Sequence, residues 1–287
     1  MPKGSATTRV RKKPKLGQHF LADQSAAIRI VDALGDVSSS TVLEIGPGHG
    51  AITSLLAQRA RRLIAVELDR VLAAQLRMNF ALMPNVEIIE GDILAIDFHT
   101  LFGPKPGSTR PGMEMAPEPV KVVGNVPYYI SSDILLRLFQ YRKYFGTIVL
   151  MLQREVADRI AIQPGKSEYG LLSATTQLYA DVEKLFTLPQ GAFSPPPKVQ
   201  STVVRLRLGT RLERLNVPEA DFMAFLRLAF GQKRKTLWNN LKERYRADML
   251  RAALAKNEIK PNVRAETLTL EDTADLFREL PGKESNP

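Results

Sequence analysis

The 287-residue sequence contains no cysteine, which excludes disulfides, thiolate metal sites and a cysteine nucleophile together. Its three histidines, His19, His49 and His99, have no close pairing, so no histidine-built metal site is expected. Long apolar runs are also missing. The longest, Ile148 to Leu152, falls far short of the roughly 20 residues a membrane span needs. The opening residues Met1 to Ser5 lack the apolar stretch of a secretory leader, and a cytoplasmic protein without membrane contact is expected. What remains is ordinary globular composition, 44% hydrophobic and 24% charged, in a chain long enough for one large domain and a small one.

Charge is abundant, and it is unevenly placed. Of the net +10, one basic cluster lies in residues 1–20 (Lys3, Arg9, Arg11, Lys12, Lys13, Lys15) with no acid among them. A second lies in residues 227–251, where Arg227, Lys233, Arg234, Lys235, Lys242, Arg244, Arg246 and Arg251 face only Glu243 and Asp248. The rest of the chain is slightly acidic. Two concentrated patches on such a body point to a polyanion, because neutralising phosphates releases counterions and drives binding.

Short β-rich runs alternate with helical patterns through the middle of the chain, which predicts a mostly parallel α/β sheet. The expected strands are Thr41–Gly46, Arg62–Glu67, Val86–Gly91, Val120–Asn125 and Thr147–Gln153. Helices are expected at Ala51–Arg61, Arg70–Leu82, Ser131–Phe139 and Arg154–Ile162. Two more strands, Val182–Leu188 and Val199–Leu208, are joined by a Pro-rich link too short for a helical crossover, so they should be antiparallel. Residues 103–119 hold five prolines and three glycines without hydrophobic period and read as an insertion. Beyond about residue 209 only helical patterns remain, with Phe222, Phe225, Leu226, Ala229 and Phe230 at core spacing. The expected organisation is therefore a basic tail (1–22), an α/β domain (23–208) and a small helical domain that binds RNA (209–281).

A strand runs into a Gly-rich turn and a helix at Val42-Leu43-Glu44-Ile45-Gly46-Pro47-Gly48-His49-Gly50-Ala51. Glycines there let the backbone approach a ligand at the edge of the sheet where such folds bind nucleotides. Acids mark three successive strand ends: Glu44 just before the first glycine, Glu67, placed to accept from ribose hydroxyls, and Asp92, placed to meet an adenine amino group. Gly46-x-Gly48-x-x-Ala51 also satisfies the dinucleotide fingerprint, so at this point both NAD and S-adenosylmethionine fit.

The fourth strand separates them. It ends in Asn125-Val126-Pro127-Tyr128 before a helix capped by Ser131 or Ser132. The exocyclic nitrogen of adenine is a poor nucleophile because its lone pair is delocalised into the ring. Acceptors on both N–H bonds favour a pyramidal nitrogen that aims the lone pair at a methyl donor. Asn125 offers a side-chain carbonyl, Pro127 offers a backbone carbonyl, and Tyr128 offers a face on which an extracted base can stack. Transfer would be direct, without a covalent intermediate, and would need no strong base because an alkylated arylamine is very acidic.

These motifs together carry a resemblance. Leu16-Gly17-Gln18-His19-Phe20-Leu21, Glu44-Ile45-Gly46-Pro47-Gly48, Glu67-Leu68-Asp69, Asn125-Val126-Pro127-Tyr128 and Phe193-Ser194-Pro195-Pro196-Pro197-Lys198-Val199 occur here in the order of the KsgA (RsmA) family. The chain also resembles that family at Arg234-Lys235-Thr236-Leu237 and Pro261 to Glu266, so the likeness runs from about residue 13 to 280. His19 and Tyr129 depart from it, each standing where Asn is common, and the 103–119 insertion looks longer than usual.

The resemblance implies a class I methyltransferase sheet with a helical C-terminal domain. It implies dimethylation of N6 on two adjacent adenosines in the 3′-terminal hairpin of small-subunit (16S) ribosomal RNA. S-adenosylmethionine, with no metal, would contact His19, Leu21, Gly46, Glu67, Asp92 and Asn125, to which the Gly-rich turn and its strand-end acid add Gly48 and Glu44. The adenine would lie against Tyr128 with Phe193 nearby, beside Asn125 and Pro127. Independently of the resemblance, Arg234 and Lys235 of the second basic cluster read as phosphate contacts, which position an RNA without reading its bases. The implied partner is a small-subunit (30S) assembly intermediate, met by a monomer. The rivals are a 23S rRNA adenine methyltransferase, a noncatalytic RNA-binding assembly factor on the same fold, and an NAD-dependent oxidoreductase.

Overall fold

A computed structural model describes residues 19–103, 119–209 and 211–280. Most of the basic tail and of the insertion lies outside the described residues. Among the described residues there are nine strands: β1 Phe20–Leu21, β2 Thr41–Ile45, β3 Arg62–Glu67, β4 Val86–Glu90, β5 Val120–Asn125, β6 Phe145–Gln153, β7 Ala180–Leu188, β8 Phe193–Ser194 and β9 Ser201–Leu208. The helices are α1 Gln24–Asp32, α2 Ala51–Arg59, α3 Arg70–Asn79, α4 Phe98–Phe102, α5 Ser131–Gln140, α6 Arg154–Ala161, α7 Leu171–Tyr179, α8 Arg211–Leu215, α9 Glu219–Ala229, α10 Leu237–Leu241, α11 Ala247–Lys256 and α12 Leu270–Arg278. Each strand and helix expected in the α/β region is found within three residues at either end.

Seven strands form one sheet in the order β4-β3-β2-β5-β6-β9-β7. The first five run parallel, and β9 lies antiparallel between β6 and β7. This is the expected class I methyltransferase arrangement. Strand order reverses between β2 and β5, and a crevice opens at their carboxyl ends, where open α/β sheets bind ligands.

Both faces are covered over the centre of the sheet, which is why β2, β3, β5 and β6 read as apolar-rich runs, while the edge strands β4 and β7 are only partly buried. Successive residues of a strand point to opposite faces. Leu43, Ile45, Val122 and Leu150 therefore pack under α5, α6 and α7, while Val42, Val123 and Val149 pack under α1 and α2. The first cluster continues into the helical region through Phe222, Phe225 and Leu226 of α9.

Helix α7 sits between the sheet and that region, and every residue from Ser173 to Tyr179 is buried. Its polar side chains turn to backbone. Ser173 Oγ donates to the Arg159 carbonyl at 2.6 Å, and Gln177 Nε2 donates to those of Ile160 and Ile162. A two-stranded ribbon completes the fold. β1 pairs antiparallel with β8, setting Phe20 opposite Ser194 and Leu21 opposite Phe193. Residues 19–22 thereby tie the end of the tail to the body of the α/β region.

Candidate active site

The Gly-rich turn is built on two close approaches. Gly46 has φ +68°, and a Cβ there would lie 3.1 Å from the main-chain oxygen of Asn125. Gly48 has φ +57°, and a Cβ there would lie 2.7 Å from the Phe20 ring. Only glycine serves at both positions. Glu67, at the end of β3, holds this turn. Its Oε2 accepts from Gly48 N–H at 3.0 Å and its Oε1 from Asp69 N–H at 2.9 Å. A carboxylate has about four acceptor positions, so capacity remains for a ligand's hydroxyls.

Asn125, at the end of β5, has a fixed orientation. Its Nδ2 donates to the main-chain carbonyl of His19 at 2.8 Å. A carbonyl can only accept, so the amide nitrogen must face His19 and Oδ1 is left as an acceptor. The Pro127 carbonyl already accepts from Ile130 N–H at 3.2 Å and keeps its second lone pair. Ser131 is inside α5 and does not cap it; Ile130 is the cap residue, and the Ser131 hydroxyl donates to the Tyr128 carbonyl at 3.1 Å. Compact 3-10 geometry at Tyr128–Ile130 takes up the turn that a side-chain cap was expected to make.

The Tyr128 hydroxyl lies 2.5 Å from Ser201 Oγ, and burial pushes the phenol above its usual range. The His19 ring lies over Tyr128 with centroids 5.9 Å apart and planes 28° apart. His19 Nδ1 is 2.8 Å from the Pro195 carbonyl, so Nδ1 carries the proton in the neutral ring and Nε2 is the acceptor. Asp92 follows β4; its Oδ1 accepts from Leu94 N–H at 2.9 Å.

Eight of the expected site residues line one cleft: His19, Gly46, Gly48, Glu67, Asp92, Asn125, Pro127 and Tyr128. It encloses about 760 Å³ counting its open mouth. Three expected residues do not line it. Glu44 is buried on the opposite face of β2 from Leu43 and Ile45, because strand residues alternate. Its Oε2 and the Thr53 Oγ1 are both buried without a hydrogen-bond partner. Leu21 and Phe193 face each other in the β1–β8 ribbon and are buried in the core beneath α1.

Sequence reasoning missed Phe20, whose ring packs on Gly48 and on His49 at 4.2 Å, and Ser201 behind Tyr128. Phe20 stood inside a quoted motif and carried a signal; a lone strand serine carried none. Away from the cleft, Lys233, Arg234, Lys235, Lys242 and Arg244 are exposed and form no ion pair among the described residues, whereas Arg246 pairs with Asp248 at 2.8 Å. Among the described residues no cluster of three or more metal-ligating side chains occurs, and no helix is long and apolar enough to cross a membrane.

Comparisons with known proteins bear on the family and the fold. The family model described as Ribosomal RNA adenine dimethylase matches residues 9–281. The Ribosomal RNA small subunit methyltransferase A of Koribacter versatilis is 55% identical over 282 residues, covering 98% of this chain and 99% of that protein. Its counterpart in Acidobacterium capsulatum is 51% identical over 271 residues, covering 94% and 92%. Among solved structures, a dimethyladenosine transferase from Plasmodium falciparum matches with TM-score 0.73 at 26% identity, over 91% of this chain and 97% of that one. The 23S rRNA methyltransferase ErmE matches with TM-score 0.65 at 27% identity, over 91% and 99%. With the matched family covering nearly the whole length, cleft included, the chain belongs to the ribosomal RNA adenine dimethylase family.

Proposed function

We propose that this enzyme dimethylates N6 of two adjacent adenosines in the 3′-terminal hairpin of small-subunit (16S) rRNA during biogenesis of that subunit. The observation that carries the reading is the amide of Asn125. Its nitrogen is committed to His19, so its oxygen is presented as an acceptor beside the Gly46 turn. The cleft suits S-adenosylmethionine: two glycines leave room that a Cβ would fill, and Glu67 and Asp92 sit at successive strand ends. Bound there, that group supplies an electrophilic methyl.

The protein's part is to hold and orient. Glu67 and Asp92 accept from hydroxyl and amino groups of the donor, and His19 closes the near side. Leu21 and Glu44 support the site from behind its walls. Asn125 Oδ1 and the Pro127 carbonyl accept the two N–H bonds of the adenine amine, and Tyr128 carries the base, with Phe193 buttressing β1 behind it. A base between Tyr128 and His19 would need about 7 Å, two contacts of about 3.5 Å. The rings are 5.9 Å apart, so the base takes the other face of Tyr128 or displaces His19. The adenine must leave any stack to enter. The unpaired cations of residues 233–244 hold the RNA by its phosphates. We take the protein to act as a cytoplasmic monomer on a small-subunit assembly intermediate, with a helical RNA-binding domain from residue 209 to 281.

The test is incubation of purified protein with labelled S-adenosylmethionine and either undermethylated small subunits or 23S rRNA, followed by nucleoside analysis. Dimethyladenosine confined to the small subunit supports the reading. Label confined to 23S rRNA supports the second reading, for which the likeness to ErmE is the specific observation. Subunit binding without any transfer would leave an assembly factor.

A further inference from the structure

The cleft ends at Tyr128, but the contact that fixes this ring lies behind the wall. Ser201 is wholly buried and is the first residue of β9, held in register between Gln153 of β6 and Leu188 of β7. Its Oγ meets the Tyr128 hydroxyl at 2.5 Å, and it does not itself line the cleft. A hydroxyl in so buried a place is costly unless it is hydrogen-bonded, and Tyr128 supplies the bond. The phenol, which burial pushes further above its ordinary value near 10, keeps its proton at neutral pH. Tyr128 itself comes from a short 3-10 turn between β5 and α5, which by itself does little to define where the ring points.

We propose that Ser201 is a positioning residue for methyl transfer: its hydroxyl pins the far end of the Tyr128 ring and fixes the direction in which the ring projects before the adenine arrives, while the His19 ring stacked over it restrains the plane. The inference rests on the reading above, in which Tyr128 carries the target base. A ring has two side-chain torsions. Fixing its tip to a sheet strand removes the swing that would otherwise be frozen out in each turnover. The segment that leads into Ser201 also braces the same ring over one face, since Pro195 accepts from the His19 ring that lies over Tyr128. Transfer depends on placement of the accepting nitrogen, so loss of the pin should fall on kcat and leave donor binding alone.

The experiment is a double-variant cycle of Ser201→Ala and Tyr128→Phe, with kcat and KM measured on undermethylated small subunits and donor affinity measured by calorimetry. Each single variant is expected to lower kcat about tenfold, the scale of one hydrogen bond, with KM for subunits and donor affinity within about twofold. The double variant is expected to lose no more than either single one. A purely structural serine would instead add its loss to that of Tyr128→Phe, and that result overturns the proposal. Should Ser201→Ala fail to fold, Tyr128→Phe breaks the same bond from the other end and decides alone: full activity overturns the proposal, and a tenfold loss in kcat upholds it. If wild-type protein methylates no small-subunit adenosine, it is the underlying reading that fails, whatever the variants do.

Discussion

The side-chain nitrogen of Asn125 donates to the main-chain carbonyl of His19 across 2.8 Å, joining the end of β5 to the residue where the N-terminal segment meets the sheet. This bond decides which end of the amide faces the cleft. Asn125→Ala is expected to abolish methyl transfer, by at least about 100-fold in kcat, while subunit binding stays intact. Asn125→Asp keeps an acceptor but sets a carboxylate oxygen against the His19 carbonyl, and it should fail as well. His19→Asn, in contrast, should preserve this anchor, because the contact is made by main chain. Undiminished dimethyladenosine formation by Asn125→Ala, read by nucleoside mass spectrometry, would sink the mechanism.

Phe20 and Gly48 make a second pairing that can be tested from both sides. A Cβ at residue 48 would meet the Phe20 ring at 2.7 Å while the backbone holds φ +57°. Gly48→Ala should therefore weaken donor binding at least tenfold in calorimetry. Adding Phe20→Ala should restore part of it, since the clash goes but the left-handed strain of about 1–2 kcal/mol remains. No recovery in the double variant would show that Phe20 is not what confines the turn.

Much of this was legible in the sequence, and the exceptions have physical reasons. The central parallel strands β2, β3, β5 and β6 announce themselves as apolar-rich runs because both faces are covered, whereas the edge strand β4 has no fully buried residue and shows only through its β-branched residues. Helix α7 does not, because it is buried on all sides and its Ser173, Thr176 and Gln177 bond to backbone, leaving no amphipathic period. The β1–β8 ribbon is too short for alternation to show. In the site, turn and strand-end residues fell where their spacing put them. Glu44 did not, because one step along a strand exchanges the cleft side of the sheet for the other. Ser201 became visible only when β9 was placed between β6 and β7.

That buried Glu44 has a measurable consequence. Burial, reinforced by the negative charge of Glu67, pushes its carboxyl up from 4.5 to about 8. The folded protein thus holds a proton that the unfolded chain releases above its ordinary value. The resulting contribution is fully present below pH 4.5 and is lost as pH rises to about 8, on the order of 5 kcal/mol in all. Glu44→Gln cannot release that proton, so its stability relative to wild type should grow through this window and level off above it. Urea midpoints of the two proteins between pH 5 and 9 test this. A constant difference across the range would mean that Glu44 is not held protonated by the fold.

The basic N-terminal segment should act on binding and not on the chemical step. Its six cations precede His19, whose contacts to Asn125 and Pro195 are made by residues that survive removal of residues 2–15. Each phosphate neutralised on a single strand contributes about 0.7 to the slope of log affinity against log salt. Deletion of residues 2–15 should therefore make that slope shallower by up to about 4 and raise KM for subunits, with kcat unchanged. Filter binding at a series of salt concentrations, paired with saturation kinetics, separates the two effects. An unchanged slope would assign RNA binding to the exposed cations of residues 233–244 alone. A fall in kcat with an unchanged KM would mean that the segment organises the cleft itself, through the strand that carries His19 and Phe20 to it.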